Sequence, residues 1–237
     1  MQDAAAIDPM TSQRWIFRLG SVAAIVGSVA GMVGNLFHPA TPLDDPSGVA
    51  RTIADSDAWT ILHLVIVAGI ILMLGGLLAI HRSIRGGAAG ALAQFGWAAA
   101  LAGIAVGVVL VILDGVAAKQ LAEEWATAPA GEQAAALRVV LANETTNFAL
   151  AALFNILFAG VTFILYGLAV ALSDVYPRWL GWVAVIAGLG SIGAGLIQAL
   201  VGQPTLASQV LTIIGPTVIT LWLFVMGILL ARRARAM

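Results

Sequence analysis

Three side chains in this sequence are of the types that carry metal or proton chemistry: His38, His63 and Asp114. Two imidazoles and one carboxylate are a known ligand set for divalent transition metals, although the HxxxH or HExxH spacing of a specific metal motif is missing. A carboxylate beside a histidine can also relay protons, and two facing histidines can hold a haem. Counting residues along the predicted helices puts His38 and His63 at different heights, which disfavours haem.

Further polar residues stand at comparable positions in long apolar segments, and they extend the candidates for a ligand pocket. Polar groups inside a membrane are costly unless they pair or meet water, so a functional site is one explanation. The other is structural, because amides also join neighbouring helices by hydrogen bonds. We expect a site at His63 with Asp114. The additional candidates are Asn35, Asn155, Gln198, Asn147 and Glu144.

The composition indicates a membrane protein. Of 237 residues, 61% are hydrophobic and 10% are charged, whereas soluble domains have roughly 25% charged residues. The net charge of −1 and the lack of a large basic patch argue against a nucleic-acid partner. The chain has no cysteine, which excludes disulfides, thiolate ligands and a cysteine nucleophile.

The pattern of apolar segments predicts an all-α fold, a polytopic bundle of six transmembrane helices in one domain over residues 15–231. Each segment is long enough for a hydrocarbon core of roughly 30 Å. Residues 1–14 and 232–237 are predicted to be tails, and residues 38–57 and 114–145 outer loops, the second with a short amphipathic surface helix over 132–143. The predicted spans are 15–37, 58–80, 91–113, 146–172, 179–201 and 210–231.

The distribution of lysine and arginine predicts the orientation. The N-terminal residues up to Arg18, the links 81–90 and 173–178, and the C-terminus carry eight of the eleven basic residues. Basic residues favour the cytoplasmic side, so both termini are predicted to be cytoplasmic. The polar candidates then lie in the outer half of the bundle, in the cytoplasmic membrane of a bacterium.

A glycine pattern recurs in the first, third and fifth spans. Gly20, Gly96 and Gly181 each precede a second glycine by seven residues, which is two helical turns. We interpret this as one helical hairpin present three times. Small residues let helix backbones approach closely in lipid. The glycines expected at such contacts are Gly27, Gly31, Gly103, Gly107 and Gly188.

The link before the fifth span carries a family resemblance. It reads Leu172-Ser173, then Pro177-Arg178-Trp179-Leu180-Gly181, and it enters an Ala/Gly-rich span. With His38-Pro39 after the first span and the long loop between spans three and four, it resembles a group of bacterial six-span membrane proteins classed as a domain of unknown function. The resemblance implies a six-helix inner-membrane bundle and identifies no catalytic residue.

The function that we favour from sequence is a non-catalytic binding, sensing or accessory subunit with an outward-facing polar pocket. The alternative is a small-molecule or ion transporter, and the third hypothesis is a protein that binds a divalent metal or haem. No nucleophile stands with a base, and the patterns HExxH, GxSxG and SxxK are missing, so an enzyme is not favoured. The expected partners are the lipid bilayer, a small-molecule or lipid ligand, and another membrane protein.

Overall fold

The computed structural model describes residues 9–42, 44–202 and 205–237; residues 1–8 of the predicted N-terminal tail lie outside it. Within that part of the chain every regular element is helical, and no strand occurs. The α-helices are α1 Pro9–Leu36, α2 Pro46–Asp55, α3 Trp59–Ser83, α4 Gly87–Ile112, α5 Ala118–Thr127, α6 Gln133–Phe154, α7 Phe163–Leu172, α8 Arg178–Val201 and α9 Leu206–Arg235. Two π-helical segments, Leu113–Ala117 and Asn155–Thr162, join α4 to α5 and α6 to α7.

Among the described residues, six continuous helical segments are long and apolar enough to cross a membrane, which confirms the all-α, six-span prediction. Spans 1, 2, 5 and 6 are α1, α3, α8 and α9. Span 3 runs through α4 and α5 over Gly87–Thr127, and span 4 runs through α6 and α7 over Gln133–Leu172. At about 1.5 Å per residue, the last two are about 60 Å long. They therefore extend well beyond a hydrocarbon core of about 30 Å.

The spans form a closed ring. Each packs against the next in sequence, and α9 returns to pack against α1. The Arg14 Nε donates to the Ala234 carbonyl at 3.3 Å, so the two ends of the described chain lie at the same end of the bundle. Which end faces the cytoplasm stays a prediction from the basic residues.

The two ends of the ring are packed differently. At the end that holds the termini, a core of fully buried side chains fills the centre, including Phe17, Leu77, Tyr166 and Leu230. The Tyr166 hydroxyl donates to the Leu77 carbonyl at 2.9 Å, so its one polar atom is satisfied. This end is therefore closed. At the opposite end, α2 and the extension α5 cover a more open region.

Both segments predicted as outer loops contain helix. Within 38–57, α2 begins after Asp45, whose carboxylate accepts the Gly48 backbone N–H at 2.9 Å as an N-cap. That hydrogen bond lowers the pKa of the exposed Asp45 carboxyl. Segment 114–145 is helical except for 128–132. The expected separate helix over 132–143 is instead the start of span 4, since its good helix formers run on without a proline or glycine break.

The repeated glycines lie at close backbone contacts. A Cβ added at Gly27 would lie 2.7 Å from the Gly69 oxygen in span 2, and one at Gly103 would lie 2.7 Å from the Phe158 Cα in span 4. A Cβ added at Gly188 of span 5 would lie 2.9 Å from the Gly160 oxygen, so this glycine packs on span 4. Because the third copy packs against the preceding span, the three-hairpin repeat stays a prediction.

The other glycines of these spans divide into two groups. A Cβ at Gly31 would lie 3.1 Å from a methionine methyl group of span 2, and one at Gly107 would contact the Phe154 ring. Gly190 and Gly193 have nothing within 4 Å of an added Cβ. Their small size is therefore not required by packing inside this chain.

Candidate functional site

Two histidines and one carboxylate meet at the open end of the bundle. The His63 Nε2 lies 3.3 Å from the His38 Nε2 and 3.1 Å from the Asp114 Oδ2. One ligand atom from each of the three residues lies within 4.8 Å of the other two. His63 is buried, whereas His38 and Asp114 are half-buried. The structure thus brings together three residues that are 25 and 51 positions apart in the sequence.

Backbone carbonyls orient both imidazole rings. The His63 Nδ1 lies 2.7 Å from the Trp59 carbonyl oxygen, and the His38 Nδ1 lies 2.9 Å from that of Pro39. Since a carbonyl can only accept, each Nδ1 carries the proton and donates it. In the neutral rings each Nε2 is then an unprotonated acceptor, and the two Nε2 atoms face each other and the carboxylate.

The π-helical segment Leu113–Ala117 positions the carboxylate. Its altered hydrogen bonding leaves carbonyls for partners outside the helix, as is common for π-bulges at functional sites. The Trp59 indole donates to the Asp114 carbonyl at 2.7 Å, and the Thr60 hydroxyl donates to that of Gly115 at 3.0 Å. A Cβ at Gly115 would collide with the His63 Cβ. Glycine at this position therefore lets spans 2 and 3 approach closely enough for the His63–Asp114 contact.

The helix α2 holds the loop that carries His38. Ile53 of α2 packs with Trp59 and Ala118 in a small buried cluster. The Lys119 Nζ donates to the Ala54 carbonyl at 2.7 Å, close to the C-terminal end of α2, where a cation is favourable. The loop is thereby fixed against spans 2 and 3.

The environment of His38 favours its neutral form. Burial lowers the pKa of the His38 imidazole and the adjacent His63 lowers it further, while Asp114 and the Pro39 carbonyl raise it. The His38 ring also contacts the Trp59 indole, with centroids 4.7 Å apart. His38 is therefore packed in place on one side and open to the cavity on the other.

A cavity of about 760 Å³ begins at this cluster and extends into the bundle. Loop residues such as Thr41 line its mouth, and Ile219, near the middle of α9, lines its inner part. The inner walls are mainly apolar. Those walls include Ile66, Ile70, Met73, Phe154 and Phe158.

Two further predicted residues, Glu144 and Asn147, line the same cavity from span 4. Asn147 is 6% exposed, and neither its amide nitrogen nor its oxygen makes a hydrogen bond within 3.5 Å among the described residues, although the Glu144 side chain lies beside the amide. The Glu144 Oε1 is likewise buried and unpartnered there. A buried polar group without a hydrogen bond costs about 1–3 kcal/mol. These two side chains thus place unsatisfied donor and acceptor atoms within the wall of the cavity.

The remaining candidates have partners within the protein. The Asn155 amide, in the second π-helical segment, donates to the Gln198 Oε1 at 2.9 Å and to the Thr212 Oγ1 at 3.2 Å. This cluster joins spans 4, 5 and 6. Asn35 is exposed and donates to the Gly31 carbonyl of its own helix at 2.8 Å. Neither residue belongs to the histidine cluster.

The geometry corrects the relative heights that we expected for the two histidines. They are in direct contact, because α1 ends at Leu36 and His38 leaves the helix direction to turn back towards span 2. A haem between them is nevertheless not accommodated. Two axial nitrogens on opposite sides of one iron lie about 4 Å apart, twice a metal–nitrogen bond of about 2.0 Å, with the macrocycle between them. The observed 3.3 Å is too short.

Sequence reasoning missed the residues that support this cluster: Trp59, Thr60, Gly115 and Lys119. Signals for two of them were present. Trp59 stands four residues before His63, one helical turn away, and Gly115 follows Asp114 inside an apolar run. The π-helical segments have no recognisable sequence signal.

Comparison with known proteins gives a family and no function. The sequence profile of the family described as a domain of unknown function, DUF4386, matches residues 8–227. No curated protein and no solved structure shows a significant similarity to the chain.

Proposed function

The chain belongs to the DUF4386 family, and we propose from its cavity that it is a binding protein for a small amphiphilic molecule. By binding this molecule, the protein would act as a non-catalytic sensing or accessory subunit in the cytoplasmic membrane of a bacterium. The observation that carries the proposal is the buried Asn147 amide, which has no partner among the described residues and lines the cavity.

The size and lining of the cavity support an amphiphilic ligand. Its volume of about 760 Å³ lies within the roughly 300–1,000 Å³ of small-molecule sites. Apolar walls formed by residues such as Ile70 and Phe158 suit a hydrocarbon or ring body. The end that holds Glu144 and Asn147 suits a head group with both a donor and an acceptor.

The orientation of the cavity follows from the basic residues. The end of the bundle with both termini carries Arg14, Arg82, Arg178 and Arg232, and its core is closed. The positive-inside rule places this end in the cytoplasm. The cavity therefore opens towards the outer face, where it receives its ligand from the outer leaflet or the periplasm.

The proposal is tested by extracting and identifying the amphiphiles that copurify with the full-length protein, by mass spectrometry. Ala151 of span 4 lines the cavity, and Ala151→Phe places a ring inside it. Overpacking of about 1–3 kcal/mol should reduce the affinity for the ligand by about fivefold or more. The matched control is Ala98→Phe, at an exposed position of α4. Equal ligand content in both variants, or none in the wild type, would contradict the proposal.

Transport of the same ligand is the second candidate, and one observation favours it. The cavity is lined by three local irregularities in continuous helices, namely the two π-helical segments and Pro216 inside α9. Interrupted helices at the middle of the membrane are typical of transporter binding sites. Uptake of the identified amphiphile into proteoliposomes, abolished by Ala151→Phe, would support transport. Saturable binding without uptake would support the sensing or accessory role.

A further inference from the structure

The geometry of His38, His63 and Asp114 points to a binding site for one divalent first-row transition metal ion at the mouth of the cavity. This inference goes beyond ligand binding in the cavity and does not depend on it. The three side chains come from the loop after span 1, from span 2 and from span 3. A metal at this position would join three separate parts of the bundle.

The distances between the ligand atoms fit a metal. With metal–nitrogen bonds of about 2.0–2.1 Å, two tetrahedral ligand atoms lie about 3.3 Å apart. The two Nε2 atoms are 3.3 Å apart, and the His63 Nε2 to Asp114 Oδ2 distance is 3.1 Å. The third separation lies within 4.8 Å. Rotation of the half-buried Asp114 carboxylate can shorten it.

The hydrogen bonds around the cluster are those of metal-ligating histidines. Such histidines usually donate the other ring N–H to a carbonyl or carboxylate, which fixes the tautomer and the ring orientation. Here the Trp59 carbonyl accepts from the His63 Nδ1, and the Pro39 carbonyl accepts from the His38 Nδ1. Each Nε2 therefore carries the free lone pair, and the two Nε2 atoms lie next to each other and to the carboxylate.

With both rings neutral and each Nδ1 donating to a carbonyl, the cluster presents three acceptor atoms and no donor between them. The His63 Nε2 lies 3.3 Å from the His38 Nε2 and 3.1 Å from the Asp114 Oδ2. A divalent cation interacts favourably with all three atoms at once.

The ligand types restrict the metal. Two imidazoles and one carboxylate suit ions such as Zn²⁺ or Fe²⁺, whereas Mg²⁺ and Ca²⁺ prefer sites made only of oxygen. Three protein ligands leave a coordination position open for water or substrate. His38, His63 and Asp114 all line the cavity. The open position would therefore face the cavity, towards an oxygen donor of a bound molecule or water.

Metal binding is tested on the detergent-solubilised full-length protein after removal of metals by a chelator. We expect Zn²⁺ to bind at one equivalent in calorimetry, and Co²⁺ to give the visible absorption of a low-symmetry site. His38→Ala and Asp114→Asn should each weaken Zn²⁺ binding by more than about 100-fold. The matched control is His81→Ala. It removes the chain's third histidine, which stacks on Trp97 away from the cluster, and should leave the affinity unchanged.

A gain of signal separates a ligand from a residue needed only for folding. The chain has no cysteine, so the Co²⁺ complex of the wild type cannot show a thiolate-to-metal charge-transfer band. Asp114→Cys should create such a band in the near ultraviolet at one equivalent of Co²⁺. Asp114→Ser, which offers no thiolate, should not show this band.

Three results would overturn the metal site. The first is wild-type protein that binds less than about 0.2 equivalents of Zn²⁺ at saturation, well below the single ion expected of a structured site. The others are equal Zn²⁺ affinities of the His38→Ala and His81→Ala variants, and absence of the charge-transfer band in folded Asp114→Cys protein. Because these measurements use the metal alone, their failure leaves the copurification test of the cavity ligand unaffected. Failure of the copurification test likewise leaves the metal measurements unaffected.

Discussion

Replacing Asn147 by leucine should stabilise the ligand-free protein, although removal of a buried amide usually destabilises a fold. The reason is that both polar atoms of this side chain are buried and unpartnered among the described residues. An unsatisfied buried amide costs about 1–3 kcal/mol. Leucine has the same branching and number of side-chain heavy atoms and no polar atom, so the free energy of unfolding should rise by about 1–3 kcal/mol.

Asn155 provides the matched control, because it is a second buried asparagine of the same span, eight residues further on. Its amide donates to Gln198 and to Thr212. Asn155→Leu would leave the Oε1 of buried Gln198 without its donor, and it should lower the free energy of unfolding by about 1–3 kcal/mol. The two substitutions are chemically identical and should act in opposite directions.

The assay is thermal unfolding of detergent-solubilised, delipidated protein, followed by the fluorescence of its seven tryptophans. For chains of this length, 1 kcal/mol corresponds to roughly 2–4 °C in Tm. We expect Asn147→Leu to unfold a few degrees above the wild type and Asn155→Leu a few degrees below it. A Tm of Asn147→Leu that falls as far as that of Asn155→Leu would refute the reasoning, because Asn147 would then have a partner.

Bound ligand should raise the Tm of the wild type above that of Asn147→Leu and so reverse the order expected for the ligand-free proteins. A molecule that binds only the folded state stabilises it by RT ln(1 + [L]/Kd), about 2.7 kcal/mol at one hundred times Kd. Wild-type protein should gain this amount from the copurified amphiphile. Asn147→Leu should gain less, since it lacks the amide that we propose contacts the head group. This combination of higher intrinsic stability and weaker binding is typical of a functional polar residue.

Three other predictions concern packing, the π-helical segment and topology. Gly103→Ala, whose Cβ would lie 2.7 Å from the backbone of span 4, should lower the free energy of unfolding by about 1–3 kcal/mol. In the same assay Gly190→Ala, which has open space around its Cβ, should be neutral or raise the free energy of unfolding by up to about 1 kcal/mol. Trp59→Phe should cost about 1 kcal/mol through loss of the indole hydrogen bond to a span 3 carbonyl, and equal Tm values would contradict that role. Cysteines at the exposed positions Ala88 and Ala130 should react with a membrane-impermeant maleimide on the cytoplasmic and outer sides respectively, and labelling of both from one side would refute the six-span topology.

The membrane class and the number of spans were predictable because they depend on local quantities. Any helix that crosses a bilayer needs about 20 consecutive apolar residues, and this requirement can be counted along the chain. The polar candidates were found for the same reason, since a residue such as His63 or Asn155 stands out in an apolar segment. Their types and approximate depths could therefore be read before any packing was known.

The fold of the outer segments was less predictable. The sequence after Asp45 contains proline, glycine and acidic residues that are typical of loops, yet α2 forms there. Its stability comes from contacts distant in sequence, namely Ile53 against Ala118, and the Lys119 ammonium at its C-terminal end. Such tertiary contacts add to a weak local preference, and no window of the sequence contains both partners.

What the sequence alone determined is the inventory: an all-α six-span protein with two histidines, several amides and a few acids at membrane depth. Only the tertiary structure decided which of these residues act together. Both Asn147 and Asn155 line the cavity, but Asn155 is hydrogen-bonded to Gln198, while Asn147 makes no hydrogen bond among the described residues. Depth along a helix follows from counting residues at a constant rise. The direction of a side chain around the helix axis depends on packing against neighbouring helices, and at Asp114 it depends on a π-helical turn that no local pattern announces.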